Sequence, residues 1–132
     1  MRLIIGGSSQ GKLGWYLSQS GGKMEDVADG NTIPLNEIPE KNIISNLHRW
    51  ILRLIEGGKA PEDIIEKYLE AHPDAVIICD EVGCGVVPIK PNEREWREAT
   101  GRICCMLAKK ASRVDRVFCG LPMTLKEEQQ CR

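Results

Sequence analysis

The chain has 132 residues, 42% of them hydrophobic, and its 18 Lys and Arg against 19 Asp and Glu leave a net charge of -1. That length fits one domain, 1–132, able to bury a core without disulfide or metal staples. The composition excludes general disorder, the charge balance offers no field to attract nucleic acid or an anionic membrane, and no apolar run approaches the ~20 residues that span a bilayer.

The spacing predicts a first strand over about Arg2–Ile5, then Gly6-Gly7-Ser8-Ser9-Gln10-Gly11-Lys12-Leu13. These residues spell the phosphate-binding pattern G-x-x-x-x-G-K. Glycines let consecutive backbone N–H groups face a polyphosphate, and the following helix directs its positive end at the same anion. Lys12 would reach the outer phosphates. The pattern then calls for Ser or Thr, whose hydroxyl ligates Mg2+, and Leu13 stands there instead. The bland alternative is a glycine-rich turn with a surface lysine.

A helix is expected from Leu13 to about Ser20, broken by Gly21-Gly22, with about 21–41 irregular. Asn42–Glu56 reads as one helix, because Ile44, Leu47, Ile51, Leu54 and Ile55 repeat at three- and four-residue steps before Gly57-Gly58. Ala60-Pro61-Glu62-Asp63 opens another, to about Ala71. Ala75–Asp80 is a continuous apolar run ending in an acid, as in a central parallel strand. Glu81–Pro91 reads as a loop, Glu93 to about Ser112 as a long helix, Val114–Gly120 as a last strand and Met123–Arg132 as a polar tail, 127–132 most clearly. Alternating strands and helices predict an α/β fold with a mainly parallel sheet.

The chain enters its first strand at once, so no signal segment is expected, and a cytoplasmic location with reduced thiols follows. Cys79 and Cys84 are loosely spaced, Cys104 and Cys105 are adjacent, and Cys119 and Cys131 are distant, so no metal cluster is expected. Cys79 and Cys119 lie in apolar runs, where cysteine acts as a small hydrophobe.

In such sheets ligands bind beyond the carboxyl ends of the strands. The 6–13 loop follows the first strand and Asp80-Glu81-Val82-Gly83 follows the central one, so the two are expected to converge. The string Glu81-Val82-Gly83-Cys84-Gly85-Val86-Val87-Pro88, then Arg94-Glu95-Trp96-Arg97-Glu98-Ala99-Thr100-Gly101-Arg102, then Gly120-Leu121-Pro122, together with the N-terminal loop, resembles the adenosylcobinamide kinase/adenosylcobinamide-phosphate guanylyltransferase family. The resemblance covers 1–14 and roughly 75–126.

The resemblance implies a three-layer P-loop nucleotide-binding fold, ATP or GTP at Gly6–Leu13, a corrinoid substrate, a place in cobalamin assembly and a homo-oligomer such as a trimer. Departures cluster on the chemistry. Leu13 replaces the hydroxyl residue, which argues against Mg2+. Asp80 stands where the family has Asn, and Cys104-Cys105 where polar residues are common. Trp15–Glu40 is too short for the segment bearing the guanylyl-accepting histidine. Aligning on Trp50 puts Ser45 at a family acid, His48 at a threonine and Arg53 at an asparagine.

The candidate catalytic residues are Lys12, Glu81 and Asp80. Either carboxylate would assist a metal or orient a substrate hydroxyl, or merely cap the loop. Arg94, Arg97 and Arg102, with Gly83, are candidates for phosphate, substrate or subunit contact, the alternative being a solvated face paired with nearby glutamates. His48 and His72 read as structural, and Trp15, Trp50 and Trp96 as core or interface anchors. Two functions stay open: a kinase without the guanylyltransferase half-reaction, and a paralogue that binds nucleotide or corrinoid without turnover.

Overall fold

The structure, a computed structural model, describes residues 1–8, 10–82 and 91–128. In chain order the elements are β1 (Arg2–Gly6), α1 (Lys12–Ser20), β2 (Val27–Asp29), β3 (Ile43–Ser45), α2 (Leu47–Glu56), α3 (Pro61–Ala71), β4 (Val76–Asp80), α4 (Pro91–Lys110), β5 (Arg113–Phe118) and β6 (Leu121–Glu127). One sheet runs in the order β2-β3-β4-β1-β5-β6, parallel except for the antiparallel β5–β6 pair.

Two apolar layers sandwich this sheet. On one face Leu3, Ile44, Ile77 and Val114 pack with Leu47, Trp50, Ile51 and Leu54 of α2, Ile65 and Tyr68 of α3, and Ile103 and Leu107 of α4. On the other, Ile4, Ile43, Val76, Ile78 and Val117 meet Leu13, Trp15, Tyr16 and Leu17 of α1. The period-two alternation of each strand feeds both layers, which is why β1 and β4 read as unbroken apolar runs. The fold is therefore α/β with a mainly parallel sheet.

The expected elements are revised at three points. Residues 42–56 are not one helix: Ile43–Ser45 is a strand, and the helix starts after Asn46, which takes a left-handed φ of 53°. Ile43 and Ile44 fit a helical stripe equally well, but these β-branched residues pair with β2 on one side and β4 on the other. The irregular 21–41 stretch also holds β2. Its end is fixed at Gly30, where a Cβ would lie 2.0 Å from the Asn46 carbonyl oxygen.

Residues from Met123 onward are likewise not all tail. Cys119 (φ 51°) and Gly120 (φ 73°) form a two-residue turn, and β6 returns along β5. Positive φ at both turn positions suits the right-handed twist of a hairpin. Pro122 is tolerated because β6 is an edge strand.

Candidate functional site

Gly6 and Asp80 end adjacent parallel strands and are paired in register. The chain leaves β1 at Gly6 and enters α1 at Lys12, with Gly11 capping the helix at a φ of 83°. A Cβ on Gly6 would lie 2.5 Å from the Val117 carbonyl oxygen, so only glycine lets the chain leave the sheet beside β5 at this spacing.

Lys12 is the only buried residue of α1. Its side chain is 7% exposed and folds back over the loop, Nζ lying 2.6 Å from Asp80 Oδ1 and donating to the Gly7 carbonyl at 2.7 Å. Loop and acid are thus brought together as the sheet topology requires.

The second Asp80 oxygen faces His48 Nε2 at 3.4 Å, while the backbone N–H of Asp80 donates to His48 Nδ1 at 3.3 Å. Those two contacts select the neutral tautomer protonated on Nε2. Burial lowers the His48 pKa from 6.5, Arg49 and Lys12 push the same way, and Asp80 and Asp29 oppose them. Trp96 Nε1 donates to the His48 carbonyl at 2.7 Å, tying α4 to this corner of α2.

Glu81 donates its backbone N–H to the Gly6 carbonyl at 2.8 Å. Its carboxylate accepts two hydrogen bonds from Arg116 of β5, at 2.8 and 3.1 Å, across the end of β1. A bidentate guanidinium–carboxylate pair has a fixed geometry, so it braces the mouth of the loop.

The β5–β6 turn clasps the loop from the other side. The Cys119 N–H donates to Gln10 Oε1 at 2.7 Å and the Gly120 N–H to the Gln10 carbonyl at 2.9 Å. Cys119 and Gly120 therefore hold the loop through backbone groups that composition does not reveal.

A model of the cobinamide kinase / cobinamide phosphate guanyltransferase family matches residues 42–125, more than half of the chain. The chain belongs to this family. Its members are kinases and guanyltransferases of cobalamin biosynthesis. No curated protein matches the chain. The family match begins after the 6–13 loop, so the loop's role rests on its own residues and geometry.

The phosphate-loop pattern calls for Mg2+, and these residues fit that ion poorly. Leu13 offers no oxygen and packs into the apolar layer beside α1. Asp80 and Glu81 already face Lys12 and Arg116. No group of three or more His, Cys, Asp or Glu suited to a metal occurs among the described residues.

The other candidates are dispersed. Gln10, Gly7 and Ser8 lie in the loop, while Ser9 and Gly83 fall outside the described residues. Arg102 is exposed and pairs with Glu62 of α3. Arg94 is exposed and Arg97 half-buried, both early in α4. Arg53 donates to the Gly30 carbonyl at 2.9 Å. Ser45 is buried at the end of β3, and its carbonyl accepts from Gly30. His72 caps the C-terminal end of α3, its backbone N–H donating to the Tyr68 and Leu69 carbonyls, while its ring stacks on Tyr68 and contacts Asn42 and the Pro39 carbonyl.

Two residues escaped the reading of the sequence. Nothing in the spacing joins His48 to Asp80, which stand 32 positions apart. Arg116 carries no motif, and its alternation with the buried Val117 is the sequence sign that it faces out of that apolar layer.

Beside β2 lies an open cavity of about 800 Å³, flanked by Asp29, Ile33, Pro34 and Lys41. It shares no residue with the 6–13 loop. Burial raises the Asp29 carboxyl, but hydrogen bonds from Asn46 and Asn31 and the charge of Arg53 outweigh it and hold the group below its usual 3.8.

Among the described residues no helix is long and apolar enough to cross a membrane.

Proposed function

We propose that the chain is a cobinamide kinase-type phosphotransferase. It binds ATP or GTP at Gly6–Leu13, phosphorylates the hydroxyl of a cobinamide-type alcohol, and lacks the guanylyltransferase half-reaction. One observation supports this most strongly: a buried lysine at the start of α1 is drawn onto an acid at the end of the neighbouring strand, over a glycine-rich turn. Burying an ammonium is costly, and Asp80 offsets that cost while no phosphate is present.

On this reading a nucleotide γ-phosphate takes Lys12 from Asp80. The released carboxylate oxygen then faces the loop, where it accepts the proton of the substrate hydroxyl as the phosphoryl group is transferred. His48 keeps the other oxygen oriented. No step is assigned to a metal, because the donor set does not suit one.

The test is transfer of γ-labelled phosphate from ATP or GTP to cobinamide. The wild-type chain should form labelled cobinamide phosphate, and Lys12→Ala should abolish it. No labelled product under any donor overturns the kinase reading.

A second reading draws on Leu13, whose side chain is committed to the apolar layer. The chain would then bind nucleotide or corrinoid as a regulatory or assembly protein. ATP binding without phosphate transfer would favour it.

A further inference from the structure

Cys79 is the penultimate residue of β4, fully buried, and immediately precedes Asp80. Cys104 is half-buried on α4, and its sulfur lies 3.7 Å from that of Cys79, at van der Waals contact. Both thiols are free. The two cysteines stand 25 positions apart, which hides this proximity from the sequence, where Cys79 reads as a small hydrophobe.

We propose that Cys79 and Cys104 form a redox-modification site, closed to a disulfide by a small hydroperoxide, that adjusts the seat of the 6–12 loop. Cys104 is the attacking thiol because it alone of the two is accessible. The hydrogen bond with Cys79 holds the Cys104 thiol below its usual range, although burial opposes this. The same hydrogen bond, with burial, pushes the Cys79 thiol up. One sulfur is therefore poised as a nucleophile and the other as its resolving partner. The oxidant is small because a sheltered helix face admits peroxide more readily than a bulky disulfide.

The electrons balance. The Cys104 thiolate attacks one peroxide oxygen and the O–O bond breaks. Sulfur becomes a sulfenic acid, and the second oxygen takes a proton and leaves as water or an alcohol. Cys79 sulfur then gives up its proton and attacks Cys104 sulfur. The S–O bond breaks, and the departing hydroxide takes that proton to leave as water. Two thiols lose two electrons, and one peroxide gains them.

Closure must shorten the sulfur contact from 3.7 Å to about 2 Å. The end of β4 or the facing turn of α4 has to move. Asp80 follows Cys79 directly, and the next residue, Glu81, is hydrogen-bonded to Gly6. Displacement there disturbs the Gly6–Asp80 pairing on which the loop rests. This coupling to ATP rests on the proposed nucleotide site, whereas the disulfide itself does not.

The test treats the reduced 132-residue chain with stoichiometric hydrogen peroxide, maps disulfides by mass spectrometry without reduction, and titrates ATP before and after. A Cys79–Cys104 bridged peptide about 2 Da lighter than its two thiol halves is expected, together with at least threefold weaker ATP binding that a reductant restores. Cys105→Ser, at an exposed neighbour, should still form the bridge, and Cys104→Ser should keep ATP affinity through peroxide treatment. Only over-oxidised thiols, or bridges between other cysteines, overturn the site. A bridge that leaves ATP affinity unchanged overturns the coupling. If the reduced chain binds no ATP, the nucleotide reading fails, and the peptide map still decides the bridge.

Discussion

Lys12 and Asp80 lie 68 positions apart in the chain and meet at 2.6 Å, with side chains 7% and 20% exposed. The lysine comes from the first turn of α1 and the acid from the end of β4, and the Gly6–Asp80 register brings them together. Removing one partner leaves a charge with little access to water. Asp80→Asn should therefore lower stability by about 2–3 kcal/mol in denaturant titration, and adding Lys12→Met should recover much of that loss. Simple additivity of the two changes would show that the pair is not coupled.

Gly6→Ala should be among the most damaging small substitutions. The added Cβ meets the Val117 backbone 2.5 Å away, and backbone cannot swing aside as a side chain can. A loss of roughly 2–4 kcal/mol is expected in urea unfolding. Gly7→Ala meets only the flexible Gln10 side chain, at 3.4 Å, and should cost much less.

Acid should destabilise the fold through His48. Its pKa is lowered from 6.5, chiefly by burial, so the unfolded chain takes up the proton first as pH falls. The contribution is fully present above about pH 6.5 and is lost as pH falls through the folded-state value. His48→Gln cannot titrate and should show a flatter stability profile just below pH 6.5. An unchanged slope in the variant would exclude His48 as the source.

Leu13→Ser would place a hydroxyl where the phosphate-loop pattern expects one. Leu13 is partly buried against the α1 layer, so the change should cost about 1–2 kcal/mol. In return Mg2+ should strengthen ATP binding more in the variant than in the wild-type chain. Equal Mg2+ dependence in both would mean that the hydroxyl alone does not decide metal use.

The alternation of strands and helices was legible because β1 and β4 are buried on both faces and leave unbroken apolar runs. The β3 strand was hidden because Ile43 and Ile44 satisfy a helical period as well as a strand, and only pairing with β2 and β4 decides between them. The β6 strand was hidden for another reason. An exposed edge strand has little burial to record in its sequence, and the Cys119-Gly120 turn depends on backbone conformation. Lys12 and Asp80 could be placed together beyond the carboxyl ends of the strands from topology alone. His48, Arg116 and the Cys79–Cys104 contact required the packing of helices on that sheet, which no local pattern encodes.

Calorimetric titration of ATP into the wild-type chain and into Lys12→Ala tests the central claim most directly. Binding to the wild type with a Kd below about 1 mM, and at least tenfold weaker binding to the variant, is the predicted result. No binding to the wild type at millimolar ATP, or equal binding to both, would contradict the assignment of the 6–12 loop as a phosphate site.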